Sequence, residues 1–77
     1  MLSELDRVVL TQNVPEEGLE AGDVGTIVHI YRGGEAFEVE FFALDGDTVA
    51  VVTATVDQVR PVTCEDVTHA RRRAVPA

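Results

Sequence analysis

Two glycine-containing dipeptides divide the middle of the chain into three β-rich runs. Gly33-Gly34 separates "DVGTIVHIYR" from "EAFEVEFFA", and Asp45-Gly46 separates that second run from "TVAVVTAT". Two-residue hairpin turns of type I′ or II′ require such pairs, because these residues tolerate a positive φ. The spacing therefore predicts two consecutive hairpins, which together form a three-stranded antiparallel meander.

The alternation of apolar and charged residues predicts the register of the first hairpin. With a two-residue turn at Gly33-Gly34, one face carries only apolar side chains: Val28, Ile30, Phe37, Val39 and Phe41. On the opposite face His29 lies across from Glu38, and Ile27 lies across from Glu40. A shift by one residue would bring the two glutamates into the core, so the pattern specifies this register.

The second hairpin is less strictly specified. A two-residue turn at Asp45-Gly46 places the inward-facing residues of the middle strand opposite Ala50, Val52 and Ala54. However, the segment Val49–Val52 is apolar on both faces, so it would also accept a slip or a β-bulge.

Short segments on either side complete an all-β domain. "RVVL" at residues 7–10 is β-rich, and residues 13–18 form a loop around Pro15 and Gly18. After Thr55 we expect a tight turn and a last strand that lies at an edge, because Pro61 cannot donate to a ladder. Five short strands predict an SH3-like small barrel over residues 1–62. Residues 63–77 then form an Arg-rich tail, either a short helix or disordered.

Two segments carry a resemblance to known sequences. "GLEAGDVGTIVHIY" is similar to the opening of KOW-type and related SH3-like barrels. Together with "LDGDTVAVVT", it makes the chain resemble, from Glu4 to Val62, a family of short bacterial proteins known as domain of unknown function 4926. The resemblance implies the fold and brings no established activity, and the Arg-rich tail lies outside it.

The charge of the chain bears on the class of partner. Fourteen acidic residues stand against six arginines, there is no lysine, and the net charge is −8. All the acidic residues precede residue 67, whereas three arginines are consecutive at residues 71–73. Nucleic-acid affinity comes from clustered cations that release counterions, so we expect no such binding by the barrel body.

The chain also carries indications of its compartment. Cys64 is the only cysteine, so it has no intrachain disulfide partner, and a lone thiol fits a reducing cytoplasm. No apolar run approaches about 20 residues, and Glu4, Asp6 and Arg7 interrupt any signal-like start. We therefore expect a cytoplasmic protein without a membrane span.

Residues capable of catalysis are few and poorly spaced. Ser3 is the only serine, and Cys64 with His69 is the only thiol–imidazole pair near in sequence. Nucleophilic catalysis needs an activated nucleophile within hydrogen-bond reach of a base. We expect no enzymatic activity and no cofactor. An enzyme would require Cys64 to converge with His29 or His69 on one cleft.

Two groupings resemble metal sites only superficially. Cys64, Glu65, Asp66 and His69 are neighbours in sequence, but on a helix only Glu65 and His69 share a face. The stretch Asp45-Gly-Asp47 lacks the spaced oxygens and final glutamate of a calcium loop. We expect no metal site and interpret the latter stretch as a hairpin turn.

The remaining functional signal is electrostatic. The candidate partner-binding residues are Glu16, Glu17, Glu20, Ile27, His29, Tyr31, Glu38 and Glu40. One interpretation is that the carboxylates only keep a small protein soluble. The other is an acidic patch around an apolar surface of Ile27, Tyr31, Val49 and Val51 that docks a basic protein. Complementary charge speeds encounter, while apolar anchors carry affinity.

Several functional hypotheses stay open on the sequence alone. The leading one is a non-enzymatic protein-interaction module, either an antitoxin or immunity-type protein that covers a basic toxin or an accessory subunit of an enzyme. The alternative is a nucleic-acid- or ribosome-associated barrel that uses Arg32, Arg60 and the run Arg71–Arg73. Self-association also stays open.

Overall fold

Five antiparallel strands form one sheet in the order β4-β3-β2-β1-β5 in a computed structural model, which describes residues 2–73. The strands are β1 Arg7–Leu10, β2 Val24–Ile30, β3 Ala36–Phe42, β4 Thr48–Thr55 and β5 Val59–Pro61. Single turns of 3-10 helix lie at Pro15–Glu17, Arg32–Gly34 and Val56–Gln58. Within the described residues no helix has the length or apolarity to cross a bilayer. The predicted all-β, five-stranded SH3-like architecture is confirmed.

The sheet curls around a single apolar core. The largest fully buried side chains are Val8, Leu10, Ile27 and Val39, and no charged or polar side chain among the described residues is buried with them. Phe37, Val39 and Phe41 point inward from β3 and pair with Ala54, Val52 and Ala50 of β4, as predicted. Period-two alternation therefore sends the intervening glutamates to the outer face.

A β-bulge at Val28 changes the pairing in the half of the first hairpin that is farther from the turn. Ile30 pairs with Phe37 and His29 with Glu38 as predicted, but the register then shifts, and Ile27 lies opposite Val39. Ile27 is fully buried, whereas Val28 is 40% exposed. The predicted outer position of Ile27 opposite Glu40 and inner position of Val28 are wrong, because one extra residue reverses the faces of all residues before it.

The first predicted two-residue turn is longer than expected. The last ladder bond joins the Tyr31 amide to the Ala36 carbonyl at 2.9 Å, so the loop contains four residues, 32–35. Gly33 and Gly34 both have positive φ, of 80° and 71°. Both glycines are therefore needed because the turn requires a positive φ, as predicted. The pairing of the residues next to the turn is also as predicted.

The second turn is a three-residue loop, so its predicted length is also wrong. The Ala43 amide donates to the Asp47 carbonyl at 2.8 Å, and Gly46 has a φ of 94°. This geometry matches a type I turn followed by a left-handed residue. A register shift between Phe41 and Phe42 leaves Val49 as the extra residue of β4, and it offsets the longer loop.

Residues 63–73 contain no helix and form a C-terminal strap that is held against the barrel. Asp66 is held in a turn, where it accepts hydrogen bonds from the Thr63 amide at 2.7 Å and from Arg60 at 2.8 Å. These contacts lower the pKa of the Asp66 carboxyl well below its usual range. Residues 74–77, which belong to the same predicted tail, lie outside the described residues.

Arg71 attaches the strap to the barrel. Its Nε donates to Asp23 Oδ1 at 2.9 Å, and its Nη2 donates to the Gly18 carbonyl at 3.0 Å. Burial raises the pKa of the Asp23 carboxyl, but hydrogen bonds from Arg71 and the Glu20 amide, with the charge of Arg71, outweigh it. The net pKa therefore lies below the ordinary value of 3.8.

We expect acid to release the strap. Because the pKa of Asp23 is lower in the folded protein than in the unfolded chain, its stabilising contribution is complete above pH 3.8 and declines as the pH falls through the folded value. The backbone NMR shifts of residues 67–73 should therefore move toward random-coil values as the pH falls below 3.8, before those of β3 change. At neutral pH Arg71→Gln should release the strap at a cost of about 1–2 kcal/mol.

Arg72→Gln is the matched control for that change. Arg72 is the adjacent exposed residue, and the structure of residues 2–73 gives it no ion pair. Arg72→Gln removes the same charge and should leave the NMR shifts of the strap unaltered. Equal shifts of residues 67–73 in the two variants would show that the Arg71–Asp23 contact does not hold the strap.

Candidate functional site

The outer face of β2, β3 and β4 brings four of the predicted binding residues together. Glu38 and Glu40 project from β3, and His29 lies across from Glu38 on β2. The rings of His29 and Tyr31 meet edge to face, with centroids 4.9 Å apart and planes at 85°. We call this surface the β3 acidic face: Val28, His29, Tyr31, Glu38, Glu40 and Val51.

The two carboxylates of the β3 acidic face are fixed by threonines of β4. The Thr48 hydroxyl donates to Glu40 Oε2 at 2.7 Å, and the Thr53 hydroxyl donates to Glu38 Oε1. Both glutamate side chains therefore lean toward β4. Carboxylates held in this way are ready to accept further hydrogen bonds from a cationic group with little additional loss of side-chain freedom.

Glu38 also acts on the neighbouring tyrosine. It raises the pKa of the Tyr31 hydroxyl above the ordinary value of 10.0, mainly through a side-chain hydrogen bond, with smaller contributions from burial and from the negative charge of Glu38. The phenol therefore stays neutral and protonated at physiological pH. A neutral aromatic ring next to a fixed carboxylate is suited to binding a side chain with an apolar stem and a cationic head.

Exposed apolar side chains accompany these charges. Val28, Tyr31 and Val51 are each 40–50% exposed. The predicted apolar surface is therefore correct for Tyr31 and Val51. It is wrong for Ile27, which is in the core, and Val49 is only partly exposed because it packs against the core.

The acidic loop before β2 is a separate feature. Glu16 and Glu17 are exposed on the 3-10 turn Pro15–Glu17, and Glu20 lies 3.6 Å from Arg71 Nη1. The charge of Glu20 is thus partly balanced within the chain. No described hydrogen bond or ion pair joins these three residues to the β3 acidic face, so the structure does not unite the eight predicted residues in one site.

An open groove of about 730 Å³ lies between the strap and the barrel. Its apolar lining includes Val9, Val24, Val49, Val62 and Val67. Sequence reasoning missed this groove, because it depends on the contact between Arg71 and Asp23, which are 48 residues apart. The contact between Thr53 and Glu38 could be predicted, because the register places these residues opposite each other, whereas the contact between Thr48 and Glu40 could not, because Glu40 pairs with Val51.

The residues considered for chemistry do not assemble into a reactive group. Cys64 is exposed beside Thr63 and Glu65, and no hydrogen bond among residues 2–73 joins its thiol to an imidazole. His29 lies on the outer face of β2. Over the same described range, no three His, Cys, Asp or Glu side chains gather in an arrangement that could hold a metal ion.

A five-stranded antiparallel sheet around one core, with a carboxylate-bearing outer face, defines a small all-β domain of the SH3-like barrel type. The sequence profile of a family described as Domain of unknown function (DUF4926) matches residues 4–61, which is more than half of the chain. The protein belongs to this family, as the sequence resemblance indicated. The strap follows the matched region. No curated protein and no solved structure matches the chain.

Proposed function

We propose that the protein is a non-enzymatic, cytoplasmic binding module whose β3 acidic face docks a basic protein. The observation that carries this proposal is the pair of carboxylates, Glu38 and Glu40, held in place by β4 threonines beside exposed apolar side chains. An antitoxin or immunity-type protein and an accessory subunit of an enzyme are two forms that such a module takes.

The combination of groups on this face supports recognition better than solvation alone. Residues that only maintain solubility have no need for hydrogen bonds that fix their orientation. Protein interfaces combine apolar or aromatic anchors at the centre with charged groups that speed and orient association. Tyr31, Val28 and Val51 supply the anchors, and Glu38 and Glu40 supply the charge.

The ion pairs of the chain count against the alternative of a nucleic-acid-binding barrel. Arg60 makes two hydrogen bonds to the Asp66 carboxylate, at 2.8 and 3.1 Å. Arg71 is bound to Asp23. Two of the five arginines on which that alternative depends are thus neutralised within the chain, which lowers the number of phosphates they could contact.

We expect Glu38→Gln to slow association with the partner while leaving stability within about 0.5 kcal/mol of the wild type. The partner is first captured from a lysate of the source organism with the immobilised protein and then purified. At low salt the rate constant for association of Glu38→Gln with this partner should be about 3–10-fold lower than that of the wild-type protein. The difference between the two rate constants should shrink as salt screens the charge.

Glu35→Gln is the matched control, because it removes an equal charge from the exposed turn between β2 and β3. It should associate at nearly the wild-type rate. Identical rates for the two variants, or a captured protein that is itself acidic, would contradict the proposal. Binding of a labelled oligonucleotide with a salt slope near three would favour the nucleic-acid alternative instead.

A further inference from the structure

The two edges of the sheet differ sharply in how they are protected. β5 is three residues long and contains Arg60 and Pro61. β4 spans eight residues, "TVAVVTAT", and contains no charge, no proline and no glycine. Exposed edges are normally shortened, charged, interrupted by proline or covered, because open backbone groups invite another strand. β4 has none of the sequence features that protect β5, and its bulge at Val49 lies near its start, before Val51 and Thr53.

The hydrogen-bond pattern shows which groups of β4 are open. The Tyr31 amide donates to the Ala36 carbonyl, so Ala36 faces β2, and the next residue of β3, Phe37, faces β4. By the alternation of an antiparallel ladder, the N–H and C=O groups of Val51 and Thr53 then point away from β3.

A hydrogen bond at the end of β4 agrees with this orientation of the backbone groups. The Thr55 amide, which is next in the same series, donates to the side chain of Gln58 at 2.8 Å. Within the described residues β4 pairs with β3 alone. Val51 and Thr53 therefore present backbone donors and acceptors in the spacing that an added strand uses.

We propose that this edge receives an extended segment of the basic partner by β-strand addition, an inference that rests on the proposed function. Glu38 and Glu40 lean toward β4 through Thr53 and Thr48. An added strand would lie about 10 Å from β3, two strand spacings away. Arginine or lysine side chains on its outer face then reach these carboxylates, while its inner face continues the apolar core beside the half-buried Val52.

The charges at the ends of β4 favour such a segment over a second copy of this chain. Asp45 and Asp47 precede the strand, and Asp57 follows it. Antiparallel pairing of two β4 strands would bring Asp47 of each copy toward Asp57 of the other, and each copy carries a net charge of −8. A segment rich in arginine or lysine converts the same flanking charges into attraction.

A synthetic peptide tests the edge directly. The probe is a blocked heptapeptide of alternating arginine and valine, compared with a counterpart that carries glutamate in place of arginine. In NMR titrations of the whole protein, the arginine peptide should shift the Val51 and Thr53 amides and slow their hydrogen exchange at least tenfold. The glutamate peptide should bind at least tenfold more weakly. Failure of the arginine peptide to bind, or shifts confined to other strands, would overturn the proposal.

Val51→Pro removes one outward N–H without breaking a bond to β3, as edge positions allow. Val51→Pro should bind the arginine peptide at least tenfold more weakly than Val51→Ala, because both variants lose the valine anchor but only Val51→Ala keeps the N–H. If the proline variant does not fold, a peptide N-methylated at alternate residues tests the same bonds with the wild-type protein. Equal affinity of the two variants, or of the methylated and unmethylated peptides, would refute strand addition.

The outcomes separate this inference from the function on which it rests. If Glu38→Gln slows association with the captured partner but Val51→Pro binds that partner as well as Val51→Ala does, the acidic face binds and the edge inference fails. A dimer of the protein in sedimentation experiments that Val51→Pro dissociates, without peptide binding, would assign the edge to a second copy and overturn the choice of a basic segment. Slower association of Glu38→Gln, together with weaker partner binding by Val51→Pro than by Val51→Ala, supports both proposals.

Discussion

Phe41→Ala is expected to destabilise the folded protein by about 3–5 kcal/mol, because it leaves a cavity in a well-packed core. Phe41 is only 3% exposed and lies on the inner face of β3 between Gly25 of β2 and Ala50 of β4. A domain of this size has a total stability toward the lower end of about 5–15 kcal/mol, so much of the population should unfold at room temperature. Urea unfolding followed by circular dichroism measures the change.

The adjacent residue provides the control. Phe42 is 48% exposed, and Phe42→Ala removes the same side chain from the same strand. It should cost about 1 kcal/mol or less, because most of the lost atoms were in contact with water. Similar losses at both positions would mean that the inner and outer faces of β3 are wrongly assigned.

Gly25→Ala should cost about 1–3 kcal/mol through overpacking, although it adds a single methyl group. A Cβ at this position would lie 2.5 Å from Val39 Cγ1, 2.8 Å from Phe41 Cε1 and 3.0 Å from the Glu40 carbonyl oxygen. Val39 and Phe41 are buried and have no open space to rotate into, and the backbone oxygen is fixed within the ladder. Thermal unfolding of the variant should therefore show a clear decrease in the melting temperature.

A double-mutant cycle identifies the cause of that loss. In a Val39→Ala background the contact at 2.5 Å is absent, so Gly25→Ala should cost less than it does in the wild-type protein. Strictly additive losses would indicate that Gly25 is required for a reason other than its close approach to Val39.

The inner face of the central strands could be predicted because one pattern determines it. Charged residues alternate with large apolar residues only along β3, so the positions of Phe37 and Phe41 follow from period two. Along β2 the neighbours Ile27 and Val28 are both apolar. Hydrophobicity therefore does not indicate which of them faces the core. The β-bulge that decides their orientation cannot be predicted from this pattern.

The candidate site was predictable to the same extent. His29, Tyr31, Glu38 and Glu40 lie on the outer face as expected, because the register next to the first turn is correct. The strap was not predictable, since its position depends on Arg71 meeting Asp23 across a long sequence separation. Local patterns carry no information on which arginine of three consecutive ones finds a carboxylate.

The unequal edges of the sheet also limit how copies of the protein can assemble by pairing of strands. Arg60 and Pro61 make the β5 side unsuitable for another strand, so the sheet grows in one direction only. A protein that accepts a strand on one side and offers none on the other cannot join copies of itself into a continuous sheet, so the host does not elongate into a filament.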